Sequence, residues 1–154
     1  MSLLETVTIR PMEKQDLNAV LAIEQVSFPL PWLKEHFLHE IEARHSFPFV
    51  AELDGAIVGY VCLMSLFEEA QILDIAVDPF QRGRGVALQL MERAFITALE
   101  QGAEVLSLEV RVSNVAAISL YEQLGFCRTG LRPWYYQDGE DAVLMEKCLA
   151  EQHA

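Results

Sequence analysis

Leu73-Asp74-Ile75-Ala76-Val77, then Asp78-Pro79-Phe80-Gln81, then Arg82-Gly83-Arg84-Gly85-Val86-Ala87-Leu88-Gln89-Leu90 reads as an apolar strand, a sharp exit at proline, and a loop of alternating arginine and glycine that opens a helix. That order suits an anion. The first N–H groups of a helix lack an intrahelical acceptor and carry the positive end of the macrodipole, so a diphosphate docks on them if no side chain intrudes. Gly83 and Gly85 leave the approach open, and Arg82 and Arg84 offer guanidinium forks suited to phosphate oxygens. Two other phosphate loops are excluded. Leu88 stands where a dinucleotide fingerprint needs its third glycine, and the chain has no Gly-Lys-Ser/Thr to end a P-loop. On spacing alone a plain strand-to-helix turn remains an alternative.

Working outward, the residues before the loop supply strands. Val7 to Arg10 is a short first strand, and after Pro11 the positions Leu17, Val20, Leu21 and Ile23 or Glu24 to Val26 recur at helical spacing. Phe28-Pro29-Leu30-Pro31-Trp32 breaks that helix, and a second is expected from Leu33 to about Ala43. Pro48 to Leu53 and Ile57 to Leu66 flank Asp54-Gly55, a hairpin signal. Ala70 to Val77 follows, nearly continuous in apolar residues as a central strand covered on both faces should be.

Beyond the loop, Ala87, Leu90, Met91, Ala94 and Ala98 keep one apolar face, so a helix is expected from about Gly85 to Gln101, ending at Gly102. Val105 to Val112 then alternates, with Leu106, Leu108, Val110 and Val112 on one side and Ser107, Glu109 and Arg111 on the other. Strand, helix and strand in that order imply a right-handed parallel crossover. Asn114 to Leu124 is the last helix, stopped by Gly125, and Phe126 to Leu131 with Asp141 to Cys148 close the sheet as antiparallel strands.

Composition bounds the function. A chain of 154 residues is expected to form one domain, and at that size about 68–70% of the unfolded surface is buried on folding. The domain is placed at residues 1–149, with 150–154 as a tail. The longest nearly apolar stretch, Ala56 to Phe67, falls short of the ~20 residues that span a bilayer. No secretory h-region stands out among the first fourteen residues, and a cytoplasmic location is expected. A net charge of −12, from 23 acidic and 11 basic residues, argues against a nucleic-acid surface and favours a cationic amine or basic peptide; solubility alone is the ordinary explanation. Cys62, Cys127 and Cys148 are odd in number and widely spaced, so a disulfide framework and a zinc knuckle are both excluded, and all three are expected in the core. His36 and His39 lack a third ligand and are expected on a solvated helix face, so no metal is expected.

The loop is similar to the pyrophosphate loop of the GNAT superfamily of acyl-CoA N-acyltransferases, [Gln/Arg]-x-x-Gly-x-[Gly/Ala], which Arg82-Gly83-Arg84-Gly85-Val86-Ala87 satisfies at every specified position. The resemblance continues through Glu69-Ala70-Gln71-Ile72-Leu73-Asp74-Ile75-Ala76-Val77, Leu108-Glu109-Val110-Arg111-Val112-Ser113-Asn114, Ala117-Ile118-Ser119-Leu120-Tyr121-Glu122-Gln123-Leu124-Gly125-Phe126 and Tyr135-Tyr136-x-Asp138-Gly139-Glu140-Asp141-Ala142. It covers roughly residues 7 to 149. Within the superfamily the set looks like the RimI type, which acetylates the N-terminal alanine of a ribosomal protein. The implied fold is α/β of the α+β kind: one mixed, mostly antiparallel sheet of six to seven strands with a splayed parallel central pair and about four flanking helices.

The resemblance also implies chemistry. Acetyl-CoA is the acyl donor and a protein or peptide N-terminus the acceptor. A free α-amine has a reference pKa of about 7.7–8.0 against about 10.4 for lysine, so a modest base suffices near neutrality. Glu109 stands where RimI-like enzymes place that base, acting through water, and Tyr121 where the family places a general acid near the coenzyme sulfur. Asn114 matches a coenzyme-binding asparagine and also suits a helix N-cap. Ile75, Ala76 and Val77 are expected to offer main-chain groups to the pantetheine arm and to the negative oxygen developing on the thioester carbonyl. Arg82, Gly83, Arg84, Gly85, Val86 and Ala87 are expected on the pyrophosphate. Tyr135 and Tyr136, with Trp32 and Glu69, are the expected acceptor contacts, although so dense an aromatic group also reads as a hydrophobic lid. Trp134 occupies a position where RimI-like sequences commonly carry asparagine. The same motifs fit a catalyst for a small amine or a lysine side chain, and an acyl-CoA-binding module without turnover.

Overall fold

A computed structural model describes residues 6–149, which leaves the expected tail at 150–154 outside the described residues. Seven strands form one sheet: β1 (Thr8–Pro11), β2 (Ser46–Leu53), β3 (Ala56–Leu66), β4 (Glu69–Val77), β5 (Val105–Arg111), β6 (Cys127–Arg132) and β7 (Ala142–Cys148). Among the described residues four α-helices flank it: α1 (Leu17–Ser27), α2 (Lys34–Glu42), α3 (Val86–Glu100) and α4 (Val115–Gln123). The strand order is β1-β2-β3-β4-β5-β7-β6, antiparallel throughout except for the β4–β5 pair. The mixed, mostly antiparallel sheet expected from sequence is therefore present. No helix among the described residues is long and apolar enough to cross a membrane.

Apolar periodicity divides the core between the two faces of the sheet. On one face α3 buries Val86, Leu90, Met91, Ala94 and Ala98 with Ile118 and Tyr121 of α4; on the other, Leu17, Val20 and Ile23 of α1 and Phe37 of α2 pack over Val50, Tyr60 and Cys62. Complete burial of Leu90 or Met91 is worth ~1.5–3 kcal/mol each. Gly59 lets α3 approach this closely, since a Cβ there would stand 3.0 Å from the Ala76 carbonyl and 3.2 Å from the Leu90 side chain.

The feature that creates the site is a parting of the central pair. β4 and β5 pair from Glu69↔Val105 only as far as Ile72↔Leu108, while β4 continues to Val77 and β5 to Arg111. Against β3 the register jumps from Cys62↔Asp74 to Leu63↔Ile72, which leaves Leu73 as an extra residue. A bulge bends and twists its strand. It falls on the residue after the last β4–β5 pair, so β4 turns away from β5 there and its far half has no ladder partner on that side among the described residues.

Two expectations are corrected. Cys62 is fully buried, but Cys127 and Cys148 are exposed, because β6 is an edge strand exposed at every residue and Cys148 lies on the solvent side of β7. Val112, expected on the buried face of its strand, is 44% exposed: β5 stops at Arg111, and the Val112 N–H donates to the Asp141 carbonyl at 3.1 Å as the chain turns toward α4.

Candidate active site

The parting of β4 and β5 opens a cleft of about 880 Å³, walled by the α1–α2 connector on one side and by the start of α3 and α4 on the other. At one end the Asp78 carboxylate accepts the Phe80 N–H at 2.9 Å and folds the strand exit into a single 3-10 turn. Gly83 and Gly85 follow at φ +78° and +80°, a left-handed conformation that costs other residues about 1–2 kcal/mol, and Gly85 is the N-cap of α3. Those two turns bring Val86 and Ala87, the first residues of α3, to the cleft wall, and a Cβ at position 83 would meet nothing within 4 Å. Open space beside a helix N-terminus, whose first N–H groups lack intrahelical acceptors, is the cradle that a diphosphate needs.

Arg82, Gly83, Gly85, Val86 and Ala87 line the cleft, as do Ile75, Ala76 and Val77. The Arg82 Nε donates to the Val77 carbonyl at 3.3 Å, bracing loop against strand. Arg84 is not among the lining residues; it is exposed, with Nη1 3.5 Å from Gln81 Oε1. Successive residues of this loop point in different directions, so the expected pair of arginines brings one to the cleft. Asn114 lines the cleft and caps α4, its Oδ1 accepting the Ala117 N–H at 3.2 Å.

At the other end, alternation along β5 sends Leu108 and Val110 into the core and leaves Glu109 facing the cleft. Glu109 Oε1 accepts the Tyr135 hydroxyl at 2.9 Å, and Oε2 pairs with Arg132 Nε at 3.2 Å. Donating to the Glu109 carboxylate raises the Tyr135 phenol above its ordinary value, with burial adding to the shift. Tyr121 reaches the same cleft from α4, 6% exposed and edge-on to Phe126 at 5.8 Å. Burial pushes its phenol well up, and Asp74 and Tyr136 push the same way, so it carries its proton at neutral pH. Tyr136, also in the cleft wall, is pushed up to about 12, chiefly by burial.

Trp32 lines the cleft from the α1–α2 connector and packs on Phe37 at 5.1 Å. Glu69 does not. As the first residue of β4 it sits roughly 20 Å along the strand from Ile75, where it lines a separate cavity of about 270 Å³ with Met64 and Phe67. A strand carries one residue to each end of the sheet, and Glu69 is at the wrong one.

Sequence reasoning missed two carboxyl groups in the cleft wall. Glu24 of α1 is 1% exposed; it accepts the Tyr60 hydroxyl at 2.6 Å and the Trp32 N–H at 2.8 Å, which fixes the connector. Asp74 lies beside it, and burial with Glu24 as neighbour drives Asp74 well above the usual carboxylate range. Each had a local signal. Glu24 stands within the apolar stripe of its helix, and Asp74 interrupts an otherwise apolar strand.

Comparison with known proteins points to one family. Residues 17–126 match the model of the acetyltransferase (GNAT) family. A Bacillus subtilis (strain 168) relative with a provisional name as a ribosomal protein bS18-alanine N-acetyltransferase is 40% identical over 139 residues, covering 89% of this chain and 92% of the relative. The Escherichia coli (strain K12) ribosomal protein bS18-alanine N-acetyltransferase is 36% identical over 141 residues, 90% of this chain and 95% of that protein. The crystal structure of the ribosomal-protein-S18-alanine N-acetyltransferase from Escherichia coli superposes with a TM-score of 0.86 at 33% identity, covering 97% of this chain and 99% of that one.

Proposed function

This chain belongs to the GNAT family of acetyltransferases, and from that premise we propose that it transfers an acetyl group from acetyl-CoA to a protein N-terminal α-amine, with the N-terminal alanine of ribosomal protein bS18 as the acceptor. The observation that carries the reading is a convergence. The glycine loop, Glu109 and Tyr121 are distant in sequence and all line one cleft at the parting of β4 and β5. The two bS18-directed relatives, each matched over nearly their whole length, supply the acceptor.

When bound, acetyl-CoA supplies a thioester whose carbonyl carbon is open to attack by an amine. The loop amides from Gly83 to Ala87, with Arg82, hold the diphosphate. Main-chain groups of Ile75, Ala76 and Val77, on the length of β4 that has parted from β5, align the pantetheine arm and favour negative charge on the carbonyl oxygen. Glu109 takes the proton that the amine must lose, through water, at the oxygen now accepting from Tyr135. Tyr121 Oη gives its proton to the departing sulfur; its raised pKa keeps that proton available across the working range. Asn114 joins the coenzyme contacts without leaving its helix cap. Trp32, Tyr135 and Tyr136 enclose the acceptor's first residues and exclude water.

The net charge of −12 favours a cationic acceptor over nucleic acid. We assign the reaction to the cytoplasm, where ribosomal proteins are made. Mass spectrometry of unacetylated peptides incubated with the protein and acetyl-CoA tests the reading. The expected product carries acetyl on the α-nitrogen of an alanine-first bS18 peptide. Modification confined to an internal lysine, with a blocked N-terminus tolerated, would contradict it.

A further inference from the structure

Arg111 lies two residues beyond Glu109 on the same face of β5 and is held in more ways than any neighbour. Its side chain is 11% exposed, with Nη1 2.8 Å from Asp138 Oδ2 and 2.9 Å from Glu140 Oε1. Its guanidinium carbon also sits 4.0 Å from the centroid of the Tyr136 ring. Glu140 uses its other oxygen to accept the Ser113 N–H at 2.9 Å, and Asp138 Oδ1 accepts the Glu140 N–H at 3.1 Å. All three partners of Arg111 belong to the loop joining β6 to β7. Arg132, the last residue of β6, and Tyr135, near the start of that loop, occupy the two oxygens of Glu109.

This loop has little apolar burial to hold it. Trp134 is 77% exposed, Tyr135 is 45% exposed, and Trp134 adopts φ +57°, unfavourable for a bulky side chain. Its conformation therefore depends on polar anchors, and Arg111 is their centre. With two carboxylates on one guanidinium the cluster sums to a net negative charge, so Arg111 is not a free cation awaiting an anionic ligand. The planar fork can bond carboxylates and stack on an aromatic ring together, which a lysine ammonium does poorly.

We infer that Arg111 is a positioning residue for the acceptor: it locks the β6–β7 loop so that Tyr135 reaches Glu109 and Tyr136 forms the cleft wall. The inference rests on the reading of Glu109 and the two tyrosines as the acceptor side of the site. It assigns Arg111 no contact with the reacting atoms.

The test uses the full chain, unmutated and as Arg111→Lys, Arg111→Ala and the double variant Asp138→Asn/Glu140→Gln, with two readouts. Hydrogen exchange at Trp134, Tyr136, Gly139 and Glu140, whose N–H groups all bond within the loop, needs no substrate. It should quicken about tenfold or more in every variant while β5 and α3 keep their protection. In steady-state kinetics the acceptor KM should rise about tenfold, with acetyl-CoA KM within about twofold, and guanidinium ion added to Arg111→Ala should restore part of the loss. Unchanged loop exchange would overturn the inference, as would a loss confined to acetyl-CoA KM or an unchanged acceptor KM. If the unmutated protein acetylates only a small amine, the acceptor reading fails, and exchange together with that amine's KM still decides the role of Arg111.

Discussion

The two ends of the cleft are built from different material. At the end near α3 the proposed anion cradle is main chain: two left-handed glycines and the first amides of a helix, all within six consecutive residues. At the end near the β6–β7 loop the site is side chains brought together across the sheet, Glu109 with Tyr135 and Arg111 with Asp138 and Glu140, 26 to 29 positions apart. A backbone cradle is specified by conformation and tolerates changes of side chain outside the glycines. A side-chain cluster depends on each member, so the two ends should fail differently under mutation.

The sharpest contrast comes from Tyr121→Phe, which removes the proton that the proposed mechanism gives to the departing sulfur and leaves the cradle alone. kcat should fall by about 10²–10⁴-fold with little change in acetyl-CoA KM. Glu109→Gln should lower kcat/KM by about 10²-fold at neutral pH and recover partly near pH 9, where an α-amine of reference pKa about 7.7–8.0 has already lost its proton. Gly85→Val works on the other end: the left-handed N-cap becomes strained by about 1–2 kcal/mol, so acetyl-CoA KM should rise about tenfold while acceptor KM holds. Equal losses in both constants would erase the distinction between the ends.

The smallest effect is a pH response confined to the side-chain end. Hydrogen bonds from Ser113 and Arg111 hold the Glu140 carboxyl below its ordinary value. A carboxylate depressed in the folded state anchors its loop fully above the ordinary value of about 4.3 and releases it as pH falls through the depressed one. Trp134 fluorescence should therefore stay flat from pH 8 to about pH 5 and change only below about pH 4. A transition near neutrality would place the anchor elsewhere.

Legibility in the sequence follows the same division. Strand and helix boundaries were readable to within a residue or two, because apolar spacing and glycine stops are local signals. The loop from Arg82 to Ala87 was readable in sequence for the same reason. The bulge at Leu73 was not, since no glycine or proline marks it, although it sets where β4 leaves β5. Glu69 was misplaced because a motif fixes a residue's strand but not which end of the sheet it occupies. Glu24 and Asp74 were passed over because a carboxyl in an apolar stripe has meaning only once Tyr60 and Trp32 are seen to approach it. Trp134 shows the limit in reverse. Asparagine, common there in RimI-like sequences, suits the left-handed region, and here a tryptophan holds that conformation with its ring against Gly139.

Amide-resolved NMR during a titration with coenzyme A addresses the main-chain cradle itself. Resonances of Gly83, Arg84, Gly85, Val86 and Ala87 should move first and furthest, followed by those of Ile75 to Val77. Saturable binding that leaves these amides unmoved and shifts another surface instead would contradict the account.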